Sequence, residues 1–423
     1  MVRSRVWFFL RKLRERLWLK PLVYCLAAVA AAFLAHTADY VGVGWLAPVV
    51  TPETIEQLLS IISTSMLTVA TLAVASMVSA YASAASTATP RAFALVIADD
   101  VSQVALSSFI GAFIFSIVGF IAVKTGYYGP AGRFALFLMT VVIFAWVIIT
   151  FVRWVDNIAR LGRIGPTVTK VEAATLDAMR LLRSAPALGG KPLVAGTPRG
   201  EPVFCASVGY VQHIDMQALQ DAAEEMRAEI AVACLPGSFI GPGHPIAYVM
   251  HGTSELDERA RSWMADAFLI EPERTFEEDP RFGLIVLSEI AARALSPAVN
   301  DPGTAIAILG SFIRLLAFWV EPADDGVNTE VHYDRLHVPS LSLNDMFDDA
   351  FTAIARDGAA TVEVGIRLQK AFRSLAAIGD LEMTAVAGAH SKAAMQRANH
   401  ALQLDADIER LSGAAAWNGS ASA

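Results

Sequence analysis

The sequence predicts a membrane protein with four spanning helices, followed by a water-exposed α+β region that comprises a small β-α-β-β module and a helical bundle. The 423 residues are 55% hydrophobic, which is too apolar for an ordinary soluble protein, yet 17% are charged. The charges are unevenly placed, with 13 Lys and Arg against 7 Asp and Glu in residues 1–165, and 20 against 34 in the remainder. A basic part favours anionic lipid headgroups and an acidic part favours water. The acidic remainder also argues against nucleic-acid binding.

The first segment of the chain is basic and aromatic. Residues 1–20 alternate Arg and Lys with Trp, Phe and Leu, a pattern typical of an amphipathic helix lying on the membrane surface. The apolar run that follows, about residues 21–45, predicts the first spanning helix. A basic lead before an apolar run is also typical of a signal peptide. This run is long for one, which favours an uncleaved anchor, although cleavage stays open.

Three more apolar runs follow, at about residues 54–90, 104–123 and 134–152. The second run, as one helix of roughly 35 residues, would be about 50 Å long, whereas the hydrocarbon core is only about 30 Å thick. Basic residues flank the first span and follow the fourth, from Arg153 to Arg163. The positive-inside rule therefore predicts a multi-pass protein with both termini in the cytoplasm.

One face of the second span carries hydroxyl groups at spacings of three and four residues, and two aspartates follow that span. These predicted pore-lining residues are Thr64, Thr68, Thr71, Ser79, Ser83, Asp99 and Asp100. In a pore, the hydroxyls would hydrate ions and a ring of aspartates would favour cations. Alternatively, the small residues serve close helix packing, which is their commoner use, and the aspartates are a solvated cap for the third span.

The region after the spans changes character at about residue 166. Residues 166–254 predict a linker helix and a small module with strands at Val203–Ile214, Ile230–Cys234 and Ile246–Met250. Asp215 is the expected N-cap of a helix at Met216–Arg227. Helices are expected at 255–267, 281–295, 302–319, 342–356, 360–378 and 380–411. Residues 412–423 predict a disordered tail.

A sharply specified corner lies at Arg274–Leu309. Pro297 ends one helix, and Asp301 with Pro302 forms an N-cap and first-turn pair that starts the next. A structural corner of this kind is the simpler interpretation. The functional interpretation is a cytoplasmic contact or ligand site, formed by Asp279, Glu289, Arg293, Asn300 and Asp301.

Signals for catalysis are poor. The sequence contains no GxxxxGK[ST], HExxH, GxSxG or CxxC motif, and its histidines match no familiar ligand spacing. Three cysteines do not form a disulfide framework. We therefore expect no enzyme activity, no cofactor and no metal site.

Several blocks together resemble a known family. They are TPRAFALVIADD from Thr89, GYVQHID from Gly209, LPGSFIGPGHPIAYV from Leu235, RTFEEDPRFGL from Arg274 and ALSPAVNDPGTA from Ala294. They resemble, in the same order, a bacterial family of predicted membrane proteins, domain of unknown function number twenty-two fifty-four. The resemblance implies an inner-membrane protein with an N-terminal multi-span region and a cytoplasmic domain, and it implies no activity. Two departures are Thr89, where a serine is expected before the proline, and Gly303, where a bulkier residue is usual.

Two functions are compatible with these features. The first is a homo-oligomeric ion channel or transport protein in which the cytoplasmic domain assembles or gates the pore. The alternative is a non-conducting membrane-anchored sensor or scaffold that binds a cytoplasmic partner or small ligand. The expected partners are the lipid bilayer and further copies of the chain. The sequence does not identify the ligand or the subunit number.

Overall fold

The computed structural model describes residues 18–40, 50–87, 89–93, 95, 100–160, 163–193, 200–250, 257–322 and 331–417. The chain divides between Thr167 and Val168 into two compact units, called here the N-terminal unit and the C-terminal unit. The predicted interfacial helix lies outside the described residues except for its last three positions.

Four long helices make up the N-terminal unit: α1 (Leu19–Thr37), α2 (Pro52–Thr87), α3 (Asp100–Lys124) and α4 (Pro130–Arg160). At 36 residues, α2 is about 54 Å long. The central helix is α3, which packs against α1, α2 and α4. Its small residues allow this, because a Cβ at Gly111 would lie 3.2 Å from Tyr24 of α1, and one at Gly119 would lie 3.3 Å from Leu59 of α2.

Charge pairs join the ends of these helices. Asp100, in the first turn of α3, pairs with Lys20 at the start of α1. At the other end of α3, Lys124 pairs with Glu56 of α2 at 2.5 Å. An acidic residue in the first turn and a basic one in the last both interact favourably with the helix dipole.

The C-terminal unit begins with most of α5 (Ile164–Ser184) and contains two sheets. Its strands are β1 (Gly190–Pro192), β2 (Glu201–Phe204), β3 (Gly209–Ile214), β4 (Glu229–Val232), β5 (Phe239–Ile240), β6 (Pro245–Met250), β7 (Phe268–Glu271) and β8 (Tyr333–Val338). One sheet has the order β1-β8-β4-β6-β2, with β8 parallel to both neighbours. The other is antiparallel, in the order β5-β3-β7.

The sheets correct the predicted β-α-β-β module in two ways. The single strand expected at Val203–Ile214 is two strands, β2 and β3, which belong to different sheets. In addition, β1, β7 and β8 lie outside the predicted module, yet β8 runs between β1 and β4 in the larger sheet. Such long-range pairing leaves little trace in local periodicity, because it depends on tertiary contacts.

Helices complete the C-terminal unit: α6 (Met216–Glu225), α7 (Glu258–Asp266), α8 (Pro280–Ala294), α9 (Pro302–Val320), α10 (Leu343–Asp357), α11 (Val362–Ala376), α12 (Leu381–Ala401) and α13 (Asp405–Ala415). Their core includes the fully buried rings of Phe312, Phe347, Phe351 and Phe372. The helix predicted at 380–411 is divided between Ala401 and Asp405. Residues 412–415 of the predicted tail continue α13, and residues 418–423 lie outside the described residues.

Among the described residues, five helices are long and apolar enough to cross a membrane: α1, α2, α3, α4 and α9. This is one more than the predicted four. The fifth, α9, buries Ile308, Leu309, Phe312 and Leu316 within the C-terminal unit. Length and composition alone do not distinguish such a core helix from a spanning one.

Candidate functional site

The predicted hydroxyl stripe of α2 lies on the side of the helix that its own bundle leaves uncovered. Thr64, Thr68, Thr71, Ser79 and Ser83 are all exposed. The buried face, which packs against α3, comprises Ile55, Leu59, Ile62, Met66, Ala70, Ala73, Met77 and Ala80. At about 100° per residue the centres of the two faces are roughly opposite each other. The stripe is therefore available to a neighbouring molecule.

The three threonine hydroxyls of this stripe bond to their own helix. Thr64 donates to the carbonyl of Ser60, Thr68 to that of Thr64, and Thr71 to that of Leu67, at 2.9–3.0 Å. These bonds satisfy the hydroxyl protons and allow the helix to face lipid at little cost. The outward lone pairs of the oxygens can still accept a hydrogen bond or contact a cation.

Of the two predicted acidic residues, Asp99 lies outside the described residues. Asp100 is 84% exposed at the side chain and pairs with Lys20, so its charge is partly compensated within the chain.

Buried polar side chains of α3 bond to α4, a contact that the sequence did not predict. Ser102, Gln103, Ser107, Ser108 and Ser116 are all at least 96% buried, although α3 is strongly apolar overall. Ser108 accepts a bond from the Trp146 indole nitrogen at 3.0 Å, and Ser102 accepts one from the Asn157 amide at 3.2 Å, both from α4. Interhelical bonds of this kind hold spanning helices together. The available signal was five polar residues within an otherwise apolar span.

A second polar cluster lies where α1 ends and α4 begins. Both carboxylate oxygens of Asp39 accept backbone N–H groups, from Gly129 and Gly132, each at 2.8 Å. A carboxylate at a helix N-terminus accepts hydrogen bonds from backbone N–H groups that have no partner within the helix. Its negative charge also interacts favourably with the positive end of the helix dipole. A Cβ at Gly132 would lie only 2.3 Å from the Asp39 carboxylate, so a larger residue there would displace this cap.

The residues predicted at the Arg274–Leu309 corner do not form one cluster. Asp279 precedes α8, whereas Arg293 lies in its last turn, 14 residues later, which corresponds to about 21 Å. Asn300 and Asp301 follow beyond that end, and half-buried Glu289 lies between.

At the Asn300 end, the local geometry is that of a tight helix–turn–helix. Asn300 adopts a positive φ of 50°, which Asn tolerates better than most residues. Asp301 accepts the backbone N–H of Thr304 at 3.1 Å and its hydroxyl at 2.5 Å, and these bonds lower the pKa of the Asp301 carboxyl. The cap that the sequence predicted is present.

Asp279, at the other end of α8, belongs to a buried ion pair. Its carboxylate is 4% exposed and binds the Arg274 guanidinium in a bidentate manner at 2.7 and 3.0 Å, while accepting the Phe282 N–H at 3.1 Å. Burial raises the pKa of Asp279, and the pair with Arg274 acts in the opposite direction. The guanidinium lies over the rings of Tyr210 and Phe282, at 5.8 and 5.4 Å from their centroids.

The same loop is bound to β3 at a second point. His213 pairs with Glu278 at 2.8 Å, and this hydrogen bond is the main cause that raises the pKa of His213. Gln212 donates to the carbonyl of Glu273 at 2.8 Å. The segment from Glu273 to Asp279 thus connects the small sheet to the start of α8.

Within the part of the chain that the structure describes, no group of three or more His, Cys, Asp or Glu side chains could hold a metal ion. Burial raises the pKa of the Cys234 thiol to about 12, so that thiol is not a nucleophile at neutral pH.

The family relationship follows from a comparison of whole sequences. The sequence profile of the family described as "Predicted membrane protein (DUF2254)" matches residues 14–374. The chain belongs to the DUF2254 family. The match extends from the first helix of the N-terminal unit to α11, so the family's shared sequence includes both sheets and the Arg274–Leu309 corner.

Relatives of this DUF2254 protein occur in mycobacteria. Uncharacterized proteins of Mycobacterium bovis and Mycobacterium tuberculosis are each 31% identical to it over 115 residues, which is 26% of this chain and 21% of either relative. The chain thus aligns with about a fifth of the length of these relatives. No solved structure matches it significantly.

Proposed function

We propose that this DUF2254 protein assembles as a homo-oligomer in the bacterial inner membrane and conducts an ion or small polar solute along α2. The observation that carries the proposal is the hydroxyl face of α2, exposed on the side opposite to the bundle. Around a symmetry axis, such a face would be covered by its copies and would present oxygen atoms to the path.

In the proposed topology, α1–α4 span the membrane and both termini are cytoplasmic. α9 is then a core helix of the C-terminal unit. Two contacts within that unit support this assignment: Arg314 of α9 binds Glu172 of α5 in a bidentate manner at 2.6 and 2.7 Å, and Arg183 of α5 donates to carbonyls at the C-terminal end of α9. Charged bonds of this kind are costly in hydrocarbon.

The C-terminal unit would supply assembly contacts or gating. The helix α5 begins at Ile164, four residues after α4 ends at Arg160, and it is bound to α9 within the C-terminal unit through Arg314 and Arg183.

Current recording tests the proposal. The purified full-length chain is reconstituted in a planar bilayer, with the mass of the detergent-solubilised particle measured in parallel. Thr71→Leu places a bulky apolar group on the hydroxyl face and should reduce or abolish discrete currents. The matched control is Ser63→Ala, which removes a hydroxyl that also bonds to a carbonyl of α2 but points about 80° away from Thr71. That variant should conduct as the wild type does.

Two results would refute the proposed channel along α2. A monomeric particle with no current would show that the protein neither assembles nor conducts. A current that neither Thr71→Leu nor Thr68→Leu changes would show that the path does not run along α2. A silent oligomer would instead favour the sensor or scaffold, and ligand screening would then start from the loop between Glu273 and Asp279.

A further inference from the structure

A crevice of about 260 Å³ opens between α1 and α3 at the end where α3 turns toward α4. It is lined by Ala32, Phe33, Val118, Ile121, Ala122, Thr125, Tyr127 and Tyr128. The sequence creates it by placing alanines on facing helices and aromatic residues in the turn that follows.

The turn is folded back over the crevice by the end of α3. Gly126 has a φ of +71°, a conformation that other residues adopt at a cost, and the N–H of Tyr127 bonds to the carbonyl of Ala122 at 2.9 Å. Phe33 and Tyr128 contact the Tyr127 ring edge-on, with centroids 6.0 and 5.4 Å away. The His36 ring lies against it at 4.3 Å. These contacts hold the Tyr127 ring, which forms one wall of the crevice, in place without a bound ligand.

Two of the three hydroxyl groups in the lining bond to backbone carbonyls. The Tyr128 hydroxyl donates to the carbonyl of Ala32 at 2.7 Å, and the Thr125 hydroxyl donates to that of Ile121 at 3.0 Å. Water occupies a cavity only where it finds two to four polar partners, whereas apolar cavities of about 150 Å³ bind hydrocarbons such as benzene. This larger crevice therefore suits a hydrocarbon group.

The residues around the crevice indicate that the hydrocarbon group comes from a membrane lipid. Phe33 and Ile121, at the rim, are 54% and 55% exposed, and they continue the apolar outer surface of α1 and α3. In a membrane protein, this surface contacts lipid tails. The side chains of Lys124, which is 56% exposed and pairs with Glu56, and of Tyr127 lie at the same end of α3, where a headgroup would be.

We propose that the crevice is a specific binding site for one acyl chain of a membrane phospholipid. The acyl chain begins beneath the Tyr127 ring, packs against Ala32 and Ala122, and continues between α1 and α3 toward the bilayer centre. The site is independent of the proposed path along α2, because the two involve different helix surfaces.

Photolabelling tests the site. The full-length protein is reconstituted in vesicles of phosphatidylethanolamine and phosphatidylglycerol that contain a trace of phosphatidylglycerol with a diazirine in one acyl chain. After irradiation, labelled positions are located by peptide mass spectrometry. Label should concentrate on residues 32–33 and 118–127, relative to exposed positions of α4 such as Val142 and Ile149.

Ala122→Phe fills the crevice and should lower the ratio of label in the crevice to label on α4 by about tenfold. That change corresponds to about 1.4 kcal/mol of binding free energy. Leu138→Phe adds the same ring on an exposed face of α4 and should leave the ratio unchanged. Ala122→Gly changes the same position but keeps the crevice open. It therefore distinguishes the effect of filling the crevice from an effect of misfolding.

Even labelling of the crevice and of α4 in the wild type would show a general lipid annulus and overturn the proposal. A non-lipid apolar molecule that co-purifies with the protein and prevents labelling would overturn it as well. Normal labelling of a folded Ala122→Phe protein would likewise exclude the crevice as the site.

Discussion

Replacing Asp279 with Asn removes one charge of the buried Arg274–Asp279 pair while keeping a side-chain oxygen that can cap α8. The partner left behind, Arg274, is only 16% exposed at its side chain. Breaking a buried pair typically costs about 3–5 kcal/mol, because the remaining charge is uncompensated. Since Arg274 retains some water contact and two aromatic neighbours, we expect about 3 kcal/mol. Asp279→Ala should cost about 1 kcal/mol more, because it also removes the cap.

The measurement is pulse proteolysis of the full-length protein in detergent with increasing urea, following survival of the C-terminal unit. Asp177→Asn is the control, since Asp177 forms an exposed pair with Arg180 and should change stability by less than about 0.5 kcal/mol. The double variant Arg274→Met with Asp279→Asn should recover much of the loss. A cost of Asp279→Asn under about 1 kcal/mol would contradict the assignment of a buried ion pair. Additive effects of Arg274→Met and Asp279→Asn on the free energy of unfolding, within about 0.5 kcal/mol, would contradict it too.

Three further predictions concern other contacts. Gly283→Ala would place a Cβ 1.9 Å from the Thr175 hydroxyl and should destabilise the C-terminal unit by about 1–3 kcal/mol, whereas Gly310→Ala, whose nearest neighbour is 3.5 Å away, should be neutral or stabilising in the same urea assay. Gly132→Ala should displace the Asp39 cap and lower the melting temperature of the N-terminal unit by the equivalent of about 1–2 kcal/mol, while Gly165→Ala, which meets nothing within 4 Å, should not. Because the pKa of His213 is raised in the folded protein, its pair with Glu278 contributes stability that is fully present below the unfolded value of 6.5 and is lost as pH rises through the folded value. Glu278→Gln should flatten that part of the stability–pH profile, and an unchanged profile would contradict the assignment.

Local sequence determined much of the fold. Apolar runs long enough to cross a bilayer predicted α2, α3 and α4 as long helices, and charge asymmetry marked the change of character near residue 165. Two N-caps were also predicted correctly from the sequence. Asp215 and Asp301 each accept a hydrogen bond from a backbone N–H of the helix that they precede. These features depend on neighbours within four residues, which periodicity and capping rules capture.

The candidate sites were only partly predictable. The sequence placed the hydroxyls of α2 on one face, but only packing shows that α3 covers the opposite face. The bonds between the buried serines of α3 and α4, and the crevice beside Tyr127, went unpredicted, since each depends on which helices are neighbours.

The sequence by itself determined that this is a membrane protein with long apolar helices and a chemically distinct second part. Tertiary structure alone decided that β2 and β3 join different sheets and that β8 pairs with β1 and β4. The physical reason is that hydrophobic burial is non-directional: a pattern specifies which side chains leave water, whereas the partner they meet is selected by the packing of the whole chain.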